Sequence, residues 1–133
     1  MVHRTSTALV VRGGRVLLGK RTSRVRFAGM WDAFGGHREK GETPAHALAR
    51  ELFEELGIRV TGARFLHEYE DRDPTSGESF RHHLYLVTDW RGDPRIANDE
   101  HSEIRWFTVQ DLARLKLQSH LKKVLREVLE KNV

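Results

Sequence analysis

The chain is 133 residues long, 38% hydrophobic and 32% charged, with no cysteine and a net charge of +4. That length and balance suit one soluble globular domain over residues 1–133 and exclude a disordered chain, disulfides and thiolate chemistry. No apolar stretch reaches signal or membrane-spanning length, so the expectation is a cytoplasmic protein with no membrane partner. The basic residues suit a polyanionic ligand, but their scatter argues against a dedicated nucleic-acid surface.

Thr5 to Arg12 alternates like a strand, Gly13-Gly14 is a hairpin signal, and Arg15 to Arg21 is the return strand. A polar, arginine-rich loop follows, Thr22 to Gly29, with Arg24 and Arg26. The short apolar segment Met30 to Phe34 then runs into Gly35 and Gly36. Beyond a central helix, Arg59 to Tyr69 reads as one or two strands broken at Gly62, and Glu70 to Gly77 as a turn or exposed loop. Phe80 to Asp89 and Ser102 to Phe107 are the remaining strands. Thr108 and Asp111 form a capping-box pattern opening a short helix through Leu115. Ser119 is placed as the cap of a last helix with an apolar stripe of Leu121, Val124, Leu125, Val128 and Leu129. This order predicts an α+β fold or a mixed sheet sandwiched by helices.

The informative stretch runs from Gly36 to Ile58. Thr43 is an N-cap, Pro44 sits at N1, and Ala45, Leu48, Ala49, Leu52 and Leu56 make an apolar face that Gly57 ends. The other face carries Glu51, Glu54 and Glu55. These carboxylates repel one another by a few tenths of a kcal/mol per pair and sit at the helix end that disfavours anions. Arg50, four residues before Glu54, is expected to neutralise one of them at most. A hard divalent cation would remove the conflict, since Mg2+ takes carboxylate oxygens and keeps waters and phosphates as its other ligands.

This stretch resembles the Nudix box, G-x5-E-x7-R-E-U-x-E-E-x-G-U with U apolar. The match is carried by Gly36, Glu42, Arg50, Glu51, Leu52, Glu54, Glu55, Gly57 and Ile58. The resemblance implies a Nudix fold, a mixed central β-sheet between α-helices, and Mg2+-dependent hydrolysis of a diphosphate bond, with Mn2+ able to stand in. It also implies roles for single residues. Glu54 and Glu55 would be the main metal ligands and Glu51 a ligand or the general base. Arg50 would orient a glutamate. The carbonyl of Gly35 would be a further ligand, and Glu42 would either touch the metal or brace the loop through backbone N–H bonds. Glu100, six residues before Trp106, would bind metal or act in catalysis, with Glu103 as the alternative.

The same resemblance places a phosphate contact at Arg21 or Lys20. Trp31-Asp32-Ala33-Phe34-Gly35-Gly36 resembles the W-N-G-F-G-G of Nudix enzymes that remove oxidised purines, which makes Asp32 and Phe34 candidate base contacts. Asp32 replaces an amide that both donates and accepts by a carboxylate that, when ionised, only accepts. Gln118, Ser119 and His120 are the nearest substitutes for an asparagine that MutT-like members use near the last helix. Trp31 is read as core packing before base stacking. His82 and His83, adjacent in a strand, must face opposite sides and are expected to be structural. The expected substrate is a nucleoside triphosphate, an oxidised one such as 8-oxo-dGTP included, cleaved to monophosphate and pyrophosphate. ADP-ribose or a dinucleotide polyphosphate is the alternative, through Pro74. A non-catalytic nucleotide-binding module and an RNA-end-processing enzyme are the remaining readings. Monomer and homodimer are both compatible with the sequence.

Overall fold

A computed structural model describes residues 2–23, 25 and 27–131. Arg24 and Arg26 of the predicted arginine-rich loop lie outside the described residues. The elements are β1 (Val2–Arg12), β2 (Arg15–Arg21), β3 (Trp31–Asp32), β4 (Phe34–His37), α1 (Pro44–Leu56), β5 (Arg59–Arg72), β6 (Ser79–Arg91), β7 (His101–Phe107), a 3-10 turn (Asp111–Arg114) and α2 (Ser119–Lys131). They form a mixed sheet: β1 and β6 are parallel, and the other pairings are antiparallel.

A fork between β1 and β2 sets up the site. The two strands pair only near their hairpin, from Val10↔Leu17 to Arg12↔Arg15, where Gly13 and Gly14 take the positive φ that a two-residue turn needs. Beyond that the strands part. β3 pairs with β2 (Gly19↔Asp32), and β4 pairs with β1 from Thr5↔His37 to Ala8↔Phe34. The segment read as a short apolar run is therefore two strand pieces filling a gap between neighbours.

Strand alternation sorts the core onto two faces. Leu9, Val11, Val16 and Leu18 pack with Leu121, Val124, Leu125 and Val128 of α2. Ala8, Val10, Leu17 and Phe34 pack with Leu48, Leu52 and Leu56 of α1. The helix–sheet–helix sandwich follows from burying both faces. No described helix is long and apolar enough to cross a membrane.

Several expectations shift. β5 extends through Arg72, so Glu70 to Arg72 are strand and not turn, with Glu70 and Asp71 bonded across the hairpin. Arg81 Nε donates to Glu70 at 2.8 Å, and His82 Nε2 meets Asp71 at 3.1 Å. The turn begins at Asp73, whose carboxylate accepts the N–H of Thr75 at 2.7 Å. Gly62 marks a bulge in one continuous strand, not a break. Ser119 is already inside α2: Lys122 N donates to the carbonyl of Gln118 at 3.0 Å, so Gln118 takes the cap position.

Candidate active site

The local sequence builds α1 as expected. Thr43 Oγ1 accepts the His46 N–H at 3.1 Å, and Gly57 adopts a left-handed φ of 69° and donates to the Phe53 carbonyl. The three glutamates of its last two turns then diverge in environment. Glu55 points inward and is 3% exposed, while the Glu54 side chain is 51% exposed and Glu51 lies between these extremes.

Arg50 organises this face more widely than charge counting suggests. Its guanidinium forks onto Glu42, with Nε to Oε2 at 2.8 Å and Nη2 to Oε1 at 3.0 Å. Nη1 also donates to Glu51 at 3.0 Å and reaches Glu54 at 3.3 Å, and Nη2 donates to the His37 carbonyl at 3.0 Å. One cation therefore ties α1, the loop before it and the end of β4. Glu42 braces the loop: the Arg50 bonds, and then the Glu39 N–H at 2.8 Å, hold its carboxyl down at about 2.

Glu55 has the opposite fate. Burial, the nearby charge of Glu100 and its contact with Glu51 push its carboxyl up to about 10. Its Oε2 accepts the Gly35 N–H at 3.2 Å. His101 Nδ1 lies 3.9 Å from Glu55 Oε1, and burial, then the Arg21 charge, push the imidazole down to about 4. At neutral pH both groups are thus neutral, and their approach is not an ion pair. Among the described residues, His101 Nε2 is buried without a hydrogen-bond partner. Gly19 makes the room for this ring, since a Cβ there would collide with it and with Phe34.

Among the described residues no three carboxylates or imidazoles stand as a ready-made cage. The donor set nevertheless fits a hard divalent cation. Glu100 and Glu51 both lie close enough to disfavour the charge of the buried Glu55, which has no ion pair with a lysine or arginine among the described residues. Glu103 is a poorer candidate, as its carboxylate is taken by Arg105.

A cavity of about 530 Å3 opens beside this cluster. Gly35, Glu55 and Glu100 line one part of it. Arg21 and Asp32 line the next, joined by a 2.7 Å ion pair from Arg21 Nη1 to Asp32 Oδ2, while Asp32 Oδ1 accepts the Ala33 N–H at 2.8 Å. Burial pushes the Asp32 carboxyl up and Arg21 opposes it. Of the predicted residues, Arg21, Asp32, Gly35, Glu55 and Glu100 meet here. Glu51 abuts Gly36, and Arg50 Nη1 joins it to the half-exposed Glu54. Phe34 is fully buried against His101, so it supports the cavity floor and offers no free face for stacking. Trp31 packs edge-on against Phe107 at 4.9 Å, as expected of a core aromatic.

Of the far wall, sequence reasoning named His82, Pro74 and Gln118 and left out the rest. His3 stacks on Phe80 at 4.6 Å, Tyr69 faces His82 at 4.8 Å, and Thr5 of β1 is paired with His82 of β6. His82 reaches the cavity, whereas His83 points away to Glu68 at 3.0 Å. Phe27, half exposed and held at a φ of 59°, lines the same space, as do Pro74 and Gln118. Alternation along β1 and β6 was the available signal: Thr5, His82 and Phe80 share a face once the parallel register is known.

Glutamates at a helix end beside a cavity, in a mixed sheet between two helices, suit the metal-assisted hydrolysis of a diphosphate bond, and the comparisons agree. The NUDIX domain model matches residues 1–128. The CTP pyrophosphohydrolase of Escherichia coli K12 is 32% identical over 104 residues, 78% of this chain and 74% of that one. The 8-oxo-dGTP diphosphatase of Proteus vulgaris is 32% identical over 96 residues, 69% of this chain and 80% of that one. The crystal structure of the MutT NUDIX hydrolase from Burkholderia pseudomallei superposes with a TM-score of 0.85 at 32% identity, covering 100% of this chain and 99% of its own. This chain belongs to the Nudix family. It is a hydrolase of phosphorus-containing anhydrides with MutT-like relatives.

Proposed function

We propose that this chain is a cytoplasmic, Mg2+-dependent pyrophosphohydrolase that converts a nucleoside triphosphate to the monophosphate and pyrophosphate, with residues 1–133 acting as one domain. The observation that carries the reading is one cavity lined by Glu55 and Glu100 in one part and by the Arg21–Asp32 pair and an aromatic wall in the other. A phosphate chain suits the first part and a nucleoside the second. The relatives named for CTP and 8-oxo-dGTP act on substrates of that class.

In this reading Glu51, Glu54, Glu55, Glu100 and the Gly35 carbonyl would hold the metal. Bound Mg2+ supplies charge neutralisation at the phosphoryl oxygens and a lowered pKa for attacking water. Arg50 acts as a positioning residue, since one nitrogen donates to both Glu51 and Glu54. The proton released by the attacking water goes to one of these two carboxylates. Arg21 neutralises a phosphate oxygen, and its bond to Asp32 fixes the direction of its fork. Asp32 faces the base.

A second reading, cleavage of ADP-ribose or a dinucleotide polyphosphate, has one observation in its favour: Pro74, in the β5–β6 turn, lines the same cavity. Product analysis decides between them. Ordinary and 8-oxo nucleoside triphosphates, ADP-ribose and a diadenosine polyphosphate are incubated with and without Mg2+. Triphosphates are expected to yield monophosphate and pyrophosphate only with the metal, and Glu54→Gln to keep its fold while losing turnover. Preferred cleavage of ADP-ribose or the dinucleotide, or a fully active Glu54→Gln, would overturn the proposal.

A further inference from the structure

Three side chains of the far wall are joined in a line. Thr5 Oγ1 lies 2.6 Å from His82 Nδ1, and His82 Nε2 lies 3.1 Å from Asp71 Oδ1. Strand register brings them together. Thr5 is paired with His82 across β1 and β6, His82 with Tyr69 across β6 and β5, and Asp71 stands two residues beyond Tyr69 on the same face. Thr5 is 8% exposed, and all three residues line the cavity.

The chemistry of the line has a direction. An ionised Asp71 only accepts, so His82 Nε2 must carry the ring proton. In its neutral form the imidazole has one N–H, so Nδ1 is then bare and accepts the Thr5 O–H. Among the described residues Thr5 Oγ1 has no other hydrogen-bond partner. Its proton is thereby committed, and what remains for the cavity is a lone pair.

We infer that Thr5, His82 and Asp71 form a relay that turns the Thr5 hydroxyl into an acceptor-only contact and selects substrates whose base offers an N–H donor to this wall. The inference rests on the nucleotide reading above. Asp71 and His82 act as positioning residues, and Thr5 is the group that touches the ligand. Asp32 lines the same cavity, with its two oxygens accepting from Arg21 and the Ala33 N–H. A base lacking a donor there would leave the Thr5 lone pair without a hydrogen bond, a cost that the amino-bearing base does not meet.

The test pairs triphosphates that differ by one amino donor: GTP with ITP, and CTP with the triphosphate of pyrimidin-2-one riboside. For at least one pair, the wild type is expected to favour the amino-bearing member by roughly tenfold in kcat/KM. Thr5→Val should erase that ratio, chiefly through KM, and Thr5→Ser should restore it. Asp71→Asn frees the ring to take either tautomer and should reduce the ratio severalfold. Ring 15N spectra of His82 give a readout independent of turnover: a bare Nδ1 in the wild type and a mixture of tautomers in Asp71→Asn. Unchanged ratios in Thr5→Val and Asp71→Asn would overturn the relay, as would a wild-type ring protonated at Nδ1. Absence of turnover for every triphosphate would instead sink the nucleotide reading, while the ring spectra would still decide the direction of the relay.

Discussion

The carboxylate of Glu55 accepts the backbone N–H of Gly35 at 3.2 Å, bonding the last turn of α1 to the strand that fills the β1–β2 fork. The bond survives neutralisation of the acid, because a carboxyl or amide oxygen accepts as a carboxylate does. With its carboxyl pushed up to about 10, Glu55 is neutral in the metal-free fold at pH 7.5. Glu55→Gln is therefore expected to leave the metal-free Tm unchanged. Saturating Mg2+ should raise the wild-type Tm and not that of the variant, since a ligand bound only to the native state adds stability. Calorimetry in chelator and in Mg2+ checks both. A metal-free loss above about 5 °C, the mark of roughly 1 kcal/mol, would mean that Glu55 is ionised in the apo fold.

Gly35 and Gly36 should respond differently to one methyl group. Gly35 sits at a φ of +147°, and a Cβ there would run into the Ser6 carbonyl of β1. Backbone cannot step aside cheaply, so Gly35→Ala is expected to cost about 3 kcal/mol of stability. At Gly36 the nearest atoms are the Glu51 carboxylate, 2.6 Å from the added Cβ. A side chain can rotate away. Gly36→Ala should cost less than about 1 kcal/mol but displace Glu51 and lower kcat. Urea melts and steady-state kinetics on both variants give the comparison.

These glycines show what could be read in the chain and what could not. The limits of α1, its Thr43 cap and its Gly57 stop are local, and local rules place them. Arg50, Glu51, Glu54 and Glu55 were visible as a charge conflict on one helix face. The number of partners of Arg50 was not, because Glu42 and the His37 carbonyl come to it only after the loop folds back. The fork that admits β3 and β4 depends on pairings between distant strands. His101 looks like an ordinary loop-end histidine until Gly19, on the neighbouring strand, is seen to make space for it. Phe34 illustrates the reverse: it was a candidate base contact, and close packing in the fork buries it.

Glu42 supplies a pH dependence of known sign. Its folded pKa is lowered to about 2 from an ordinary value of 4.5, first by the Arg50 bonds and then by the Glu39 N–H. A lowered carboxyl stabilises the fold fully above the unfolded pKa and loses that contribution as pH falls through the folded one. The wild type should therefore be more stable than Glu42→Gln at neutral pH. The two should converge as pH falls from about 4.5 towards 2. Denaturant midpoints followed against pH check the window. A gap that stays constant across this range would show that Glu42 acts through shape and not through charge.

Asp32 is the place where this cavity departs most from the amide-bearing pattern its sequence resembles. One oxygen holds Arg21 at 2.7 Å and the other the Ala33 N–H at 2.8 Å. Asp32→Asn has a single oxygen for these two donors and adds an NH2 that neither needs. The amide is expected to keep the Ala33 bond, turn its donors to the cavity and end the charged pairing with Arg21. The ion pair is partly exposed, so the stability cost should stay below about 1 kcal/mol. Base preference should change far more. The kcat/KM ratio between the best and second-best triphosphates is expected to shift by roughly tenfold or more, because an acceptor facing the base becomes a donor. A KM raised equally for every base would place Asp32 with the phosphate-binding Arg21. A ratio shift with KM of the best substrate unchanged would place it with the relay at Thr5.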